Sequence, residues 1–487
     1  MGVAHVGTTG TRAPLEPGGV GEVDPFDVAS WPMPVLAVEL EELATSLPRR
    51  DRAEQAAEWA AAALVGGATP AELCEAALWC GMRNTRTEGR GPLGLVTHSV
   101  LAAAASRDLP GDERSRSMAA AQLVAYTAGA YRGGVNDPAE GPSRLGWYEP
   151  SDLGPDPVDA FLELAGTGQT ELSDHAWLAA AAADPVGAEQ ALISLSAGGY
   201  PLNEHKVVYP AQLRDWLGDD APLDPVLFRP AARYAGNHLQ HPDARTRRAD
   251  SMALAEEAGT AGSQEGHDLG RVSLVATGLA VTPTAEREAL VIGSLQDRLD
   301  PGDLALAVAL LTAARFAATS FDPTNPVAPV GPVHSCTGAD AVTRCIELAR
   351  TDALRFELAL CAPLSPTARR LAAVAGLVVP PSDDGALDDL MEALVGGDPD
   401  GAAEAAAAVP VDDDAAVTAA WGAVAAAAAR DQWMVTHAVK HTVAMHRQFH
   451  RTAHPARAWF LAAAARTAGH VAAVDQPIAA LLDRRLG

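Results

Sequence analysis

The sequence predicts an all-α protein, built as a large bundle or array of antiparallel helix pairs. Three observations predict this class. Apolar residues recur at spacings of three and four along segments of helical length. These segments end at Gly, Pro and Asp, as helices commonly do. Alternating runs of β-branched residues, which are typical of strands, are nearly absent from the chain.

Helical periodicity begins after a leader. Residues 1–34 are rich in Gly, Pro and Thr and lack periodicity, which predicts an extended or disordered segment. The first helical segments are VLAVELEELATSL (35–47), AEQAAEWAAAALV (53–65), PAELCEAALWCGMR (70–83) and SRSMAAAQLVAYTAGAYR (115–132). Because the pattern continues to the last residues, 35–487 are predicted to form a single large helical domain.

Three stretches complicate the helical pattern. The segment 316–333 contains four prolines, so a division into two contiguous bundles would fall there. RVSLVATGLAV (271–281) suits either a strand or a buried helix. The acidic, Ala/Gly-rich segment 380–413 has no aromatic residue and is predicted to be a surface excursion.

The composition argues against several partners and sites. The 487 residues include 62 acidic and 36 basic side chains, and the formal net charge of −26 argues against nucleic acid and anionic membranes. Five cysteines without a CxxC pair predict neither a disulfide framework nor a cysteine zinc site. No signal peptide or membrane span is expected, which predicts a cytoplasmic protein. The oligomeric state is not indicated.

Lysine is nearly missing from the chain. Lys206 and Lys440 stand against 34 arginines (36 − 2), and both lie beside histidines, in EHK and HAVKH. Arginine stays charged, whereas a buried lysine can lose its proton and act as a nucleophile. The two lysines are therefore candidates for a role that arginine cannot fill.

The fourteen histidines carry most of the remaining signal, because nucleotide-binding, nucleophile-elbow and HExxH motifs do not occur. The pair His267-Asp268 is a weak sign of an HD hydrolase on its own. Four other histidines lie on or just before apolar helical segments, and His238 is a reserve candidate. The four are His98, His205, His334 and His437.

This distribution of histidines suits a site in which each helix of a bundle contributes an inward ligand, that is, an internal cavity lined for a metal. Taken singly, each is also typical of a core or capping residue. On a helix, Lys440 and His441 fall at about 300° and 40° from His437, so the three share a face. The opposite face is predicted to be solvated and carries His446, His450, His454, Arg447, Arg451 and Arg457.

Four segments resemble segments of the questin oxidase-like family, helical proteins that act on fungal and bacterial aromatic polyketides. They are THSVLAAAA around His98, NEHKVVYPA around His205, VHSCTGADAV around His334 and HAVKHTVA at 437–444. The resemblance covers about 90–470, with Thr97 where the family usually has Asn. RNTRTEGRGPLG (83–94) has no counterpart in the family, which leaves the substrate open.

In family members that cleave a ring of an anthraquinone, four histidines and a carboxylated lysine hold a non-heme iron. The resemblance therefore implies five iron ligands here: His98, His205, His334, His437 and Lys440. It also implies an Fe(II)-dependent mono- or dioxygenase, either cleaving a C–C bond or of Baeyer–Villiger type. Its partners would be dioxygen and a small aromatic or polyketide-like molecule.

Several alternatives stay open at this point. Zn or Mn would also suit such ligands, and zinc would make the protein a hydrolase. A non-catalytic helical scaffold is a third possibility, and His441 competes with Lys440 as the ligand. Tyr209 and Glu204 are the expected catalytic side chains. Further polar groups expected near the site are Tyr200, Asn237 and Asp340.

Overall fold

Helices make up nearly all of the regular structure. The computed structural model describes residues 33–83, 97–131, 155–237, 241, 243–258, 267–434 and 436–486. Over these ranges the chain forms 22 α-helices and no strand, so the predicted all-α class is confirmed. The predicted leader lies outside the described residues, apart from its last two positions.

Most of the described helices are joined by short connections, two of which contain a single 3-10 turn, whereas the connection over residues 362–385 contains two such turns. In chain order they are α1 Val35–Ser46, α2 Arg52–Val65, α3 Pro70–Arg83, α4 Thr97–Arg107, α5 Glu113–Ala130, α6 Pro157–Gly166, α7 Thr170–Ala183, α8 Pro185–Gly199, α9 His205–Leu217, α10 Pro225–Asn237, α11 Ala244–Ala258, α12 Leu269–Val281, α13 Arg287–Gln296, α14 Pro301–Ala317, α15 Val330–Leu348, α16 Asp352–Cys361, α17 Ala386–Gly396, α18 Pro399–Ala408, α19 Asp414–Ala428, α20 His437–Arg451, α21 Ala458–Ala472 and α22 Pro477–Leu486.

Aspartate followed by proline begins five of these helices. In each, the aspartate side chain accepts a hydrogen bond from a backbone N–H of the first turn, and the proline occupies the first helical position. Such a cap contributes about 1 kcal/mol, and proline presets the helical φ angle. The five pairs are Asp156-Pro157, Asp184-Pro185, Asp224-Pro225, Asp300-Pro301 and Asp398-Pro399.

The segment 271–281 is helical, which settles the choice between strand and helix. It forms most of α12, whose first turn is capped by Asp268. Its buried residues, Val272, Ala276 and Leu279, are spaced by four and three, so they lie on one helical face.

The predicted surface excursion at 380–413 is wrong. It contains α17 and α18, and α18 packs along α21 with Ala402, Ala403 and Ala406 buried. Alanine buries little area per residue but allows two helices to approach closely. An acidic, alanine-rich sequence can therefore form a well-packed helix.

Four helices that are distant in the sequence form a closed ring. α4 packs against α9, α9 against α15, α15 against α20, and α20 against α4. α14 and α21 pack against this ring and against each other. α14 and α15 flank the proline-rich segment and contact one another, and the division of the chain into one domain or two stays a prediction.

None of the described helices is both long enough and apolar enough to cross a membrane.

Candidate metal centre

The four predicted histidines converge at one end of the helix ring. His98, His205, His334 and His437 each offer one ring nitrogen, and these nitrogens lie within 4.8 Å of one another. Each histidine stands in the first or second turn of its helix. The site is therefore built where the N-termini of four separate helices meet.

The imidazole rings follow the same order as their helices. Ring centroids lie 5.1 Å apart for His98 and His205, and 4.5 Å apart for His205 and His334. The ring closes with 4.7 Å from His334 to His437 and 5.0 Å from His437 to His98. Each imidazole thus has two imidazole neighbours.

Two of these rings have their Nδ1 atom against an oxygen acceptor, so the proton lies on Nδ1. The acceptors are the Asn203 side chain for His205 and the Met434 carbonyl for His437, and His334 has a hydrogen bond to the backbone of Gly331. In a neutral imidazole the lone pair is then on Nε2. The Nε2 atoms are consequently the ones available as ligands.

The Nε2 atoms of these rings face one another at short range. Nε2 of His334 is 3.1 Å from Nε2 of His205 and 2.9 Å from Nε2 of His437. Two lone pairs at these distances repel unless a proton or a cation lies between them. Two ligands at right angles on an ion with metal–nitrogen distances of 2.0–2.1 Å would be about 2.9 Å apart. The donor set therefore fits one transition-metal ion.

Burial keeps the imidazoles of His334 and His437 neutral, which is the form that binds metals. Burial, with the nearby charge of Lys440, lowers the pKa of His334 to about 3. The same two causes hold the pKa of His437 well below its usual value. Four helix N-termini add to this, because each carries about half a positive charge. The site disfavours imidazolium and favours an anion.

Lys440 lies beside the histidines on α20, one turn beyond His437. Its side chain is 4% exposed, and its charge contributes to the lowered pKa values of His334 and His437. Burial lowers the pKa of Lys440 to about 7, against the opposing effect of Asp431. Among the described residues, Lys440 forms no ion pair, since the Asp431 carboxylate accepts instead from the backbone N–H groups of Met434 and Ala438.

The backbone is strained immediately before the last ligand. Thr436 has φ 61° and ψ 11°, a left-handed conformation that a β-branched residue rarely adopts. Such a conformation costs about 1–3 kcal/mol and is concentrated at functional sites. Here it lets α20 begin at His437 with the imidazole directed at the other three.

The far ends of the same helices are joined by charged side chains. On α20, Arg447 binds Asp340 of α15 at 2.7 Å and also contacts Asp215 of α9. Arg344 of α15 binds Asp215 at 2.9 Å. Arg107 of α4 donates to the backbone carbonyls of Asp215 and Trp216, each at 2.9 Å. All four helices are therefore tied together at this end too.

The two ends are a nearly constant distance apart. Each tying residue follows its histidine by nine or ten positions, which is about 15 Å of helix. The pairs are His98 with Arg107, His205 with Asp215, His334 with Arg344, and His437 with Arg447. The four helices therefore run in the same direction. This is compatible with antiparallel pairing of consecutive helices, because the four ring helices are not consecutive in the sequence.

The predicted solvated face of α20 is partly wrong. Arg447 and Arg451 both bind the buried Asp340, and His454 is only 2% exposed. His450 is exposed as expected. On the helical wheel only His446 and His450 of this set lie opposite His437, because Arg447 and Arg451 fall at about 280° and 320° and His454 lies beyond the end of α20. α15 rather than solvent covers the arginines.

The expected catalytic residues lie close to the histidines in the chain but differ in environment. Oε1 of Glu204 accepts hydrogen bonds from Ser365 Oγ at 2.8 Å and from the backbone and hydroxyl of Thr367 at 3.0 and 2.6 Å. Tyr209 is fully buried one turn beyond His205, with its ring 5.6 Å from that of Tyr234. Glu204 is thus anchored, and the catalytic role of both stays a prediction.

Other named candidates have different positions. His441 is fully buried against Phe316 and Thr467, and its nitrogens are not part of the four-histidine group. Asp340 lies in the network at the far end of the ring. Tyr200 is fully buried. His238 and the side chain of Asn237 lie outside the described residues.

Sequence reasoning missed the residues that hold the ligands in place. Asn203 stands two positions before His205 and orients its ring. Asp215 and Arg447 tie the helices at the other end. The repeated nine- or ten-residue offset from histidine to a charged residue was a signal that could have found the latter pair.

Comparison with models of known families, with curated proteins and with solved structures finds no match. The fold and site define an all-α protein with a four-histidine group that could hold a metal ion.

Proposed function

We propose that the chain is a non-heme iron-dependent oxygenase that acts with dioxygen on an aromatic or polyketide-like small molecule. The observation that carries the metal part of this proposal is the set of Nε2 atoms facing one another at 2.9 and 3.1 Å in a buried site. The assignment of iron and oxygen chemistry draws on the resemblance of the four histidine segments to the questin oxidase-like family.

The ligands would be His98, His205, His334, His437 and Lys440. Imidazoles with one anionic oxygen suit Fe(II), and five protein donors leave one position of a six-coordinate ion for dioxygen or substrate. Iron, when bound, supplies the one-electron chemistry that dioxygen needs in order to react with an aromatic ring.

Lys440 would provide the anionic oxygen as a carbamate. Its amine, neutral in part at pH 7 because burial lowers the pKa to about 7, forms a C–N bond to carbon dioxide and releases one N–H proton. The product carries one negative charge shared by two oxygens. The four helix N-termini around the site stabilise that charge.

The remaining residues would hold the ligands in position and transfer protons. Asn203 fixes the ring of His205 and the Met434 carbonyl fixes that of His437, so these two rings need not reorient when the metal binds. Glu204 holds the turn at Ser365 and Thr367 against the start of α9, which makes it a positioning residue. Tyr209 is our candidate for the proton donor or acceptor.

A zinc hydrolase is the second candidate, because neutral imidazoles bind Zn²⁺ as readily. A scaffold without metal is disfavoured, since the opposed lone pairs of His205, His334 and His437 would then be an uncompensated cost. Mn is possible with the same ligands.

Metal analysis and dioxygen uptake separate these functions. The protein should be purified anaerobically, its metal content measured by mass spectrometry, and dioxygen uptake followed with a hydroxylated anthraquinone. We expect one iron per chain and uptake that stops on removal of iron. Zinc with turnover that needs no dioxygen would support the hydrolase, and no stoichiometric metal would support the scaffold.

A further inference from the structure

A second polar site is a cleft lined by residues of α12, α13, α14 and α15. It is partly open to solvent, and the centre of a water molecule could occupy a volume of about 30 Å³ within it. Two guanidinium groups, Arg287 and Arg315, line it. Four hydroxyl-bearing residues also line it: Tyr200, Thr312, Ser335 and Ser365.

Neither arginine has a carboxylate partner among the described residues. This is notable because the chain has 62 acidic residues for 36 basic ones, and most of its buried arginines are ion-paired. Arg315 donates to the carbonyls of Ala372 at 2.8 Å and Leu371 at 3.3 Å, and Arg287 donates through Nε to the Thr282 carbonyl at 3.2 Å. These contacts fix both groups and leave the Nη atoms of Arg287 and Nη1 of Arg315 available.

The cleft therefore holds two positive charges close together without compensation. Burial, together with the charge of Arg287, lowers the pKa of Arg315. Like charges in a partly buried place are unfavourable, and an anion between them would remove that cost through charge-assisted hydrogen bonds. The Thr312 side chain also lines the cleft, so a neutral hydroxyl lies beside the two guanidinium groups.

We propose that this cleft binds a small oxoanion, a carboxylate or phosphate group, held by Arg287 and Arg315 with a hydroxyl donor from Thr312. Guanidinium forks match the paired oxygens of both groups. The free space exceeds the roughly 10–15 Å³ that one water needs, which suits a small group rather than a nucleobase.

The cleft shares a wall with the histidine site. Ser335 follows His334 in α15. The Ser365 hydroxyl donates to Glu204 at 2.8 Å and lies 3.1 Å from the Ser335 hydroxyl. The anion site uses none of the metal ligands, however. It does not rest on the proposed oxygenase function and can be tested in protein stripped of metal.

The test is isothermal titration of the full chain, treated with EDTA, with sodium phosphate and separately with sodium acetate at constant ionic strength. We expect saturable binding of one anion per chain. Arg287→Gln should weaken it at least about tenfold, because a charge-assisted bond is lost. Arg350→Gln is the matched control and should bind like the parent. Arg350 lies just beyond the end of α15, is exposed, and forms no ion pair with any residue that the structure describes.

Arg315→Gln should weaken binding as much as Arg287→Gln. Because Arg315 also supports Ala372 and Leu371, far-UV circular dichroism must show that this variant folds, and Arg287→Gln decides the matter if it does not. Binding of phosphate alone would identify a phosphate group, and binding of acetate alone a carboxylate. Absence of saturable binding, or equal losses in Arg287→Gln and Arg350→Gln, would overturn the proposal.

Discussion

Lys440 is the residue at which the sequence and the structure are most informative together. The chain uses 34 arginines (36 − 2) and only two lysines, and both lysines are buried, Lys206 at 1% and Lys440 at 4% exposure. A surface cation could have been arginine at either position. A buried group that must lose its proton could not have been arginine, because arginine stays charged.

We predict that Lys440→Arg loses iron and activity together, although it keeps the charge, because arginine cannot form a carbamate. Lys440→Ala should lose iron too, but bicarbonate or a short carboxylic acid should restore part of it by occupying the vacated position. Metal content and dioxygen uptake check both variants. Retention of iron by Lys440→Arg together with its loss from His441→Ala would assign the ligand to His441 instead.

His441 sets a pH dependence of stability in the metal-free protein. Burial lowers its pKa from 6.5 to about 3, so below pH 6.5 the unfolded chain binds a proton that the folded chain does not. Its contribution is complete above pH 6.5 and is lost as the pH falls towards 3. The buried imidazoles of His334 and His437 act in the same direction.

We therefore predict that the free energy of unfolding, measured by denaturant titration, falls between pH 6.5 and pH 4. His441→Asn should reduce the slope by up to one proton, about 1.4 kcal/mol per pH unit. An identical slope in the parent and in His441→Asn would show that His441 titrates in the folded state as it does in the unfolded chain.

Among the elements, the ring of α4, α9, α15 and α20 depends on the charges at its far end. Asp340 is 1% exposed and binds Arg447 at 2.7 Å and Arg451 at 2.6 Å. Without its carboxylate, two arginines would remain largely buried without their shared partner. Breaking a buried pair in this way is far more costly than the pair is stabilising.

We predict that Asp340→Ala destabilises the protein by about 3–5 kcal/mol in denaturant titration. Asp483→Ala is the matched control, because Asp483 also bridges two arginines, Arg114 at 3.3 Å and Arg430 at 2.8 Å, but at the surface. It should cost less than about 1 kcal/mol. Equal effects of the two variants would mean that the ring does not depend on this network.

The packing of α18 on α21 leaves no room for a side chain at Gly469. A Cβ atom there would lie 2.9 Å from the Cα atom of Pro399 and 3.1 Å from the carbonyl oxygen of Asp398, both backbone atoms that cannot turn aside. Gly293, inside α13, has nothing within 4 Å of the same position.

Gly469→Ala should therefore lower the free energy of unfolding by about 1–3 kcal/mol through overpacking. Gly293→Ala should raise it by about 0.4–1 kcal/mol, because alanine restricts the unfolded chain and favours the helix. Thermal melts of the two variants check both signs. A neutral Gly469→Ala would contradict the close approach of α18 and α21.

At the scale of the whole molecule, the sequence was sufficient for the helical class and for choosing the four histidines that the fold brings together. Both depend on local signals: periodicity of three and four, and histidines at the starts of apolar helices such as those of His98 and His205. The direction of the ring helices and the Asp215–Arg447 contact depend on pairing across 232 positions, which no local pattern records. The burial of α18 could not be predicted from the sequence, because alanine is only weakly hydrophobic.

The central claim is that one metal ion is held where the four ring helices begin. Anomalous diffraction at the iron edge, from crystals of the protein loaded with Fe(II), tests it most directly. We predict a single strong peak about 2.0–2.3 Å from the histidine Nε2 atoms, with density for a carbamate on Lys440. No peak among His98, His205, His334 and His437, or iron bound only at surface carboxylates, would contradict it.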